Sequence, residues 1–315
     1  MFPVQRYIQR KVISDLGRSL PNGDGFKGFI RGQSYVLEYD EEGEDLFIGG
    51  VNEGDFVSAL SHDYSRFALS GIESYERALR AVGESNTAWP AIQIYYSAYY
   101  FANSIMRACG VNVSRLKFEE SRALNELRLL FDLECGNIPT GDYRATWVPS
   151  ASLGPKIKLE PISAGTGAHE KFWIVFSSFL RGLIEEIRQQ GMPDALDAEN
   201  SAGDLLRLLR ACGSGNHNWL SNVRNDITYQ HQYGVWTPTS KRSQDVKSIR
   251  ALRRKEIGVV RLDHNPNVDP MNAFLAGCQY LIELGILVAT HLATFSKRNG
   301  AFGAQWARCL DLSQA

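Results

Sequence analysis

The segment SNVRNDITYQHQYGVW, from Ser221 to Trp236, places Arg224, the directly following Asn225, and His231 in an otherwise mostly polar stretch. Arginine is a permanently charged planar fork that matches phosphate oxygens, and histidine titrates close to neutral pH. Together they suffice for one reaction in particular. In RNA, a base takes the 2′-hydroxyl proton, the oxygen attacks the neighbouring phosphorus, and a cation stabilises the extra negative charge on the non-bridging oxygens. In this chemistry Arg224 stabilises the transition state, His231 moves the proton, and Asn225 orients the imidazole, the arginine or a phosphate oxygen by hydrogen bonding. No metal and no cofactor is called for, and DNA, which lacks the 2′-hydroxyl, is not cut by this route.

The flanking residues predict how these groups are positioned. Gly213 and Gly215 end one helix, Asn216 or Asn218 caps the next, and Gly234 with Pro238 ends it. Arg224 and His231 then share a helix, within about 20° of one face and about 10 Å apart along the axis, so that both point into one cleft. A second arginine–histidine match, Arg210 to His217, runs across the turn ACGSG, where the two would not share a helix, and its second residue is Ala211. Directly after the first match, Lys241 to Glu256 holds seven basic and two acidic residues. Lys241, Arg242, Lys247, Arg250, Arg253 and Arg254 are candidate RNA-backbone contacts, of a kind that weakens as salt rises. The bland reading of this cluster is a solvated helix or loop face.

Around this segment the apolar spacing is helical. Phe56, Leu60, Tyr64, Phe67, Ile72, Tyr75 and Leu79 predict a long helix over Asp55–Val82. Further helices are predicted over Trp89–Cys109, Phe118–Leu133, Glu170–Gln190, Gly203–Ala211 and Met271–Lys297, several of them followed by a glycine. Two regions break the pattern. Gly23–Gly54 is glycine-rich with β-prone runs at Ser34–Tyr39 and Leu46–Ile48 around an acidic turn, which suggests a hairpin. Val148–Gly167, with three prolines, reads as a loop between groups of helices. The division predicted is an N-terminal extension over 1–54 and a helical domain over 55–315 with an inserted loop near 148–167.

Composition bounds the function classes. The chain has 315 residues, 44% of them hydrophobic, and a formal net charge of -1, so any affinity for nucleic acid must come from local clustering. Five separated cysteines without a CxxC pair suggest neither a disulfide framework nor a zinc knuckle. No secretory h-region is recognisable at the N-terminus, and Met271–Phe295 carries Asn272, Gln279, Glu283 and His291, a poor membrane span and a good buried helix. A cytoplasmic location is expected. Glycines near Gly23 and Gly165 form no Walker or dinucleotide loop. His62, His169, His264 and His291 have no partners at metal-ligand spacing and are read as structural or exposed. Tyr95, Tyr96, Tyr99 and Tyr100 are read as core and interface packing, with Tyr96 and Asn103 as candidate cleft-lining residues.

RNDITYQH resembles the R-[polar]-x(3-5)-H signature of the HEPN superfamily, and AIQIYYSAYYFANSIMRACG is similar to the family helix in which small residues and tyrosines alternate before a glycine. The resemblance spans about Asp55–Thr237, with the last long helix completing the bundle. It implies a mainly α fold, a HEPN-like helical bundle carrying a small N-terminal β-containing extension. It also implies a metal-independent endoribonuclease of toxin–antitoxin or anti-phage defence, acting as a homodimer under an antitoxin or regulatory partner. On this resemblance Arg224, Asn225 and His231 match the active-site positions. The spacing is the longest the signature allows, and the loop and N-terminal region are departures. The alternative is a non-catalytic HEPN-like module binding a partner protein or RNA.

Overall fold

The structure is a computed structural model that describes residues 3–18, 24–42, 44–82, 87–149, 154–163, 165, 167–191, 194–210, 217–236, 262, 267, 269–296 and 302–314. In chain order its elements are α1 (Pro3–Lys11), α2 (Asp15–Arg18), α3 (Gly25–Gly32), β1 (Val36–Asp40), β2 (Asp45–Gly49), α4 (Glu53–Ala81), α5 (Ala88–Ala108), β3 (Val111–Leu116) and α6 (Phe118–Leu130). They continue with β4 (Gly141–Val148), β5 (Lys156–Pro161), α7 (Ala168–Gln190), α8 (Ala195–Leu209), α9 (Trp219–Gln230), a 3-10 turn at Gln232–Gly234, α10 (Pro270–Ala293) and α11 (Phe302–Gln314). The chain is mainly helical, with a small five-stranded antiparallel sheet among the described residues.

The core is built on α4, α5 and α10. Asn52 starts α4 by accepting from the amides of Gly54 and Asp55, and Asp269 starts α10 by accepting from Asn272 N at 3.1 Å, with Pro270 in the first turn where no amide donor is needed. Phe101 of α5 fills a notch between the two neighbours. A Cβ on Gly285 would come within 2.4 Å of the Phe101 ring and one on Gly71 within 3.0 Å, so close approach of the helices depends on both glycines. The hydroxyl of Ser97 adds a bond to Gly71 O at 2.7 Å. α10 is long and apolar enough to cross a membrane, yet most of it is enclosed by the other helices.

α5 stops where Gly110 takes φ +77, and a Cβ there would also meet Trp147 Cβ at 2.9 Å. The left-handed turn sends the chain straight into β3. The strands are ordered β1-β2-β5-β4-β3, and every neighbouring pair is antiparallel.

The hairpin expected in 23–54 forms as β1 and β2, with Val36 opposite Gly49 and Asp40 opposite Asp45 across the acidic turn. The loop expected over 148–167 needs correction at its centre. Lys156–Pro161 is β5, pairing β2 on one side and β4 on the other. Its alternation is the physical reason: Ile157 and Leu159 are buried while Lys156, Lys158 and Glu160 are partly exposed. Pro155 and Pro161 bound the strand without interrupting its ladder. β3 and β4 went unpredicted for a similar reason, since six and eight residues of weak alternation lie between strong helical signals.

Candidate functional site

α9 carries Arg224 and Asn225, and its buried residues are Trp219, Leu220, Ser221, Val223, Arg224 and Ile227. Arg224 therefore occupies a position on the core-facing stripe that an apolar residue would normally fill. Its side chain lies against α5, with the guanidinium carbon 5.4 Å from the centroid of the Tyr95 ring and 5.7 Å from that of Tyr96. The residue is 8% exposed, and its Nε is buried with no hydrogen-bond partner. Among the described residues no carboxylate pairs with it; Asp226, the nearest in sequence, instead accepts from Tyr233 Oη at 3.3 Å.

One expectation about this segment is overturned. α9 ends at Gln230, and His231 takes left-handed dihedrals, φ 54 and ψ 30, with its amide bonded to Asp226 O. In a continued helix the amide of His231 would reach Ile227 O. Here the indole Nε1 of Trp236 takes that acceptor at 2.5 Å, so the helix is closed by a side chain from downstream. His231 consequently leaves the helical face of Arg224. It is exposed, its ring 5.4 Å from that of Trp236, and Trp236 in turn meets Trp89 of α5 edge-on at 5.6 Å. Tyr233, two residues on, is also left-handed at φ 64. Non-glycine residues in this region carry strain of about 1–3 kcal/mol each, a cost that tends to persist at functional sites.

The two motif residues thus sit at two stations along α5, Arg224 against Tyr96 and His231 beside the Trp236–Trp89 pair. Trp89 and Tyr96 are seven residues apart on one helix face, a rise of about 10 Å. Thr87 Oγ1 donates to Val235 O at 2.5 Å, pinning the start of α5 to the segment after α9. Asn225, half-buried, bonds neither Arg224 nor His231. Asn103 is buried, and its Oδ1 accepts from Arg107 Nη1 at 2.8 Å. Lys241, Arg242, Lys247, Arg250, Arg253 and Arg254 lie outside the described residues, as does His264.

What sequence reasoning missed is His169, in the first turn of α7. Its Nδ1 is 2.9 Å from Tyr95 Oη, and its ring lies 4.3 Å from that of Tyr99 and 5.6 Å from that of Tyr96. Trp173 Nε1 donates to Tyr95 Oη at 3.1 Å. One tyrosine therefore joins three helices: its hydroxyl bonds two side chains of α7, and its ring, on α5, faces Arg224 of α9. Burial, and secondarily the Arg224 charge, lower the His169 pKa to about 4. His169 is thus neutral at physiological pH. No spacing rule could have found it, because it lies 55 residues before Arg224 and 74 after Tyr95. Tyr95 and Tyr99 pack into the core as expected, with Tyr99 edge-on to Phe172 at 4.7 Å.

Among the described residues, no three His, Cys, Asp or Glu side chains converge as metal ligands. No protein-family model, curated protein or solved structure matches this chain.

Proposed function

We propose that this chain is a HEPN-type endoribonuclease that cleaves RNA by 2′-hydroxyl attack, works as a homodimer, and serves as a toxin or anti-phage effector. The observation that carries the reading is Arg224, a guanidinium held on two tyrosine rings with no carboxylate to neutralise it among the described residues. Such a cation is suited to an anion brought from outside, and a phosphodiester is among the anions that a planar donor fork fits.

In the reaction, His231 removes the 2′-hydroxyl proton and O2′ forms a bond to phosphorus. The P–O5′ bond breaks, the leaving oxygen takes up a proton, and a 2′,3′-cyclic phosphate remains. Arg224 stabilises the charge that develops on the non-bridging oxygens, while Asn225 orients either partner. Two features support access by a polynucleotide: His231 is exposed, and Trp89, 55% exposed beside Trp236, offers a face on which a base can stack. In a dimer, a second copy brings another arginine and imidazole to the same cleft.

The test is incubation of purified protein with mixed RNA in the presence of EDTA. Cyclic-phosphate ends are expected, and Arg224→Ala and His231→Ala each lower the rate by about a hundredfold or more. Full activity in either variant sinks the reading. The deep burial of Arg224 favours a second one, a non-catalytic module that binds RNA or protein. It stands if both variants fold as wild type, no RNA is cut, and partner binding alone changes.

A further inference from the structure

Three helices bring their side chains to one place beside Tyr96: Tyr95 and Tyr96 from α5, His169 from α7, and Ser221 and Arg224 from α9. The hydrogen bonding at its centre can be counted. Trp173 Nε1 is a donor only, and it bonds Tyr95 Oη at 3.1 Å. The same hydroxyl lies 2.9 Å from His169 Nδ1, a pairing in which it donates when the imidazole hydrogen is on Nε2. A neutral imidazole that accepts at Nδ1 carries its hydrogen on Nε2, and that hydrogen has no acceptor among the described residues.

Arg224 borders the same two tyrosine rings; it is buried, and its Nε has no hydrogen-bond partner. Both groups border the same ring: the guanidinium carbon is 5.7 Å and the imidazole centroid 5.6 Å from the centre of Tyr96. Arg224 is also the charge that acts on His169. The N-terminal end of the 23-residue helix α7 adds positive potential, partly offset by Glu170 in its first turn. Donors from two helices meet here without a protein acceptor among the described residues.

We infer that His169 Nε2 and the Arg224 guanidinium together form a phosphate-binding site, with Tyr95 holding the imidazole in its donor orientation. His169 is a ligand-binding residue in this arrangement, and Tyr95 positions it. The imidazole grips a phosphate oxygen, while proton transfer stays with His231. The inference rests on the ribonuclease reading for its natural ligand, an RNA phosphodiester, but not for its test.

Wild-type protein with ¹⁵N-labelled histidine is titrated with inorganic phosphate at pH 7. The His169 Nε2 resonance is expected to shift saturably, and the saturable shift is lost in Arg224→Ala. By calorimetry His169→Gln, which retains an amide for Tyr95, binds phosphate about tenfold more weakly, the loss of one charge-assisted hydrogen bond. An unmoved resonance at saturating phosphate, or wild-type affinity in His169→Gln, overturns the inference; the wild-type titration requires no variant to fold. RNA cleavage is scored separately. Phosphate binding that depends on both residues in a protein that cuts no RNA sustains the site and removes the ribonuclease reading. Cleavage by a protein whose His169 ignores phosphate does the reverse.

Discussion

Arg107 and Arg224 are both buried against aromatic rings, yet the chain treats them in opposite ways. Arg107, 2% exposed near the end of α5, stacks 4.2 Å from the centre of the Phe67 ring. Its Nη1 donates to Asn103 O and Oδ1 at 3.2 and 2.8 Å, and its Nη2 to Val113 O at 3.0 Å. Burial lowers its pKa to about 10, so it remains charged at neutral pH. Arg224 has two tyrosine rings but no oxygen acceptor among the described residues. Cation–π contacts return about 0.5–2 kcal/mol, less than the several kcal/mol that desolvating an unpaired charge costs. One arginine closes a structural joint between α5 and β3, where its terminal nitrogens are spent on protein oxygens. The other is left with donors that only a group outside the described fold can use.

The contrast breaks most readily at Arg107. Arg107→Met leaves the acceptors of Asn103 and Val113 without their donor and is expected to lower stability by about 2–4 kcal/mol in urea denaturation. A loss under about 1 kcal/mol would mean that those bonds carry little, and the structural half of the comparison fails. Arg224→Met should act in the other direction, raising stability by about 1 kcal/mol as an apolar side chain replaces an unpaired cation, while RNA cleavage falls. Destabilisation of the same size as at Arg107 would make Arg224 a structural residue.

The smallest effect sharpens the electrostatics. His169 has its pKa lowered to about 4 from the ordinary 6.5, by burial first and Arg224 second. Between pH 6.5 and 4 the unfolded chain takes up a proton that the folded chain refuses, so stability falls as pH drops through this window and stops falling below it. Arg224→Ala removes the second cause, moves the titration closer to 6.5 and narrows the window from below. An NMR titration of the His169 ring reads this directly, and an unchanged midpoint places Arg224 out of electrostatic reach.

The long helices were legible because each shows a sustained period: Asp55–Val82 was expected and Glu53–Ala81 is found, and Trp89–Cys109 became Ala88–Ala108. β5 was legible in hindsight from its alternation. Its three nearby prolines outweighed that signal, although two of them only mark its ends. The site divides in the same way. That Arg224 and Asn225 lie on a helix followed from the caps around it, but the helix end at Gln230 did not, because it is closed by the indole of Trp236. Ideal geometry would have carried His231 round to the face of Arg224; a left-handed residue turned it away.

By itself, the order of residues determined that the chain is mainly helical, where its main helices run, and that one hairpin precedes them. Local periodicity and capping decide those matters over a few turns of chain. Only the tertiary structure decided that Arg224 points inward with no carboxylate beside it among the described residues, that His231 stands beside Trp236, and that His169 comes to rest against the same tyrosines as Arg224. These depend on contacts between residues far apart in sequence, set by how α5, α7 and α9 pack around a single tyrosine.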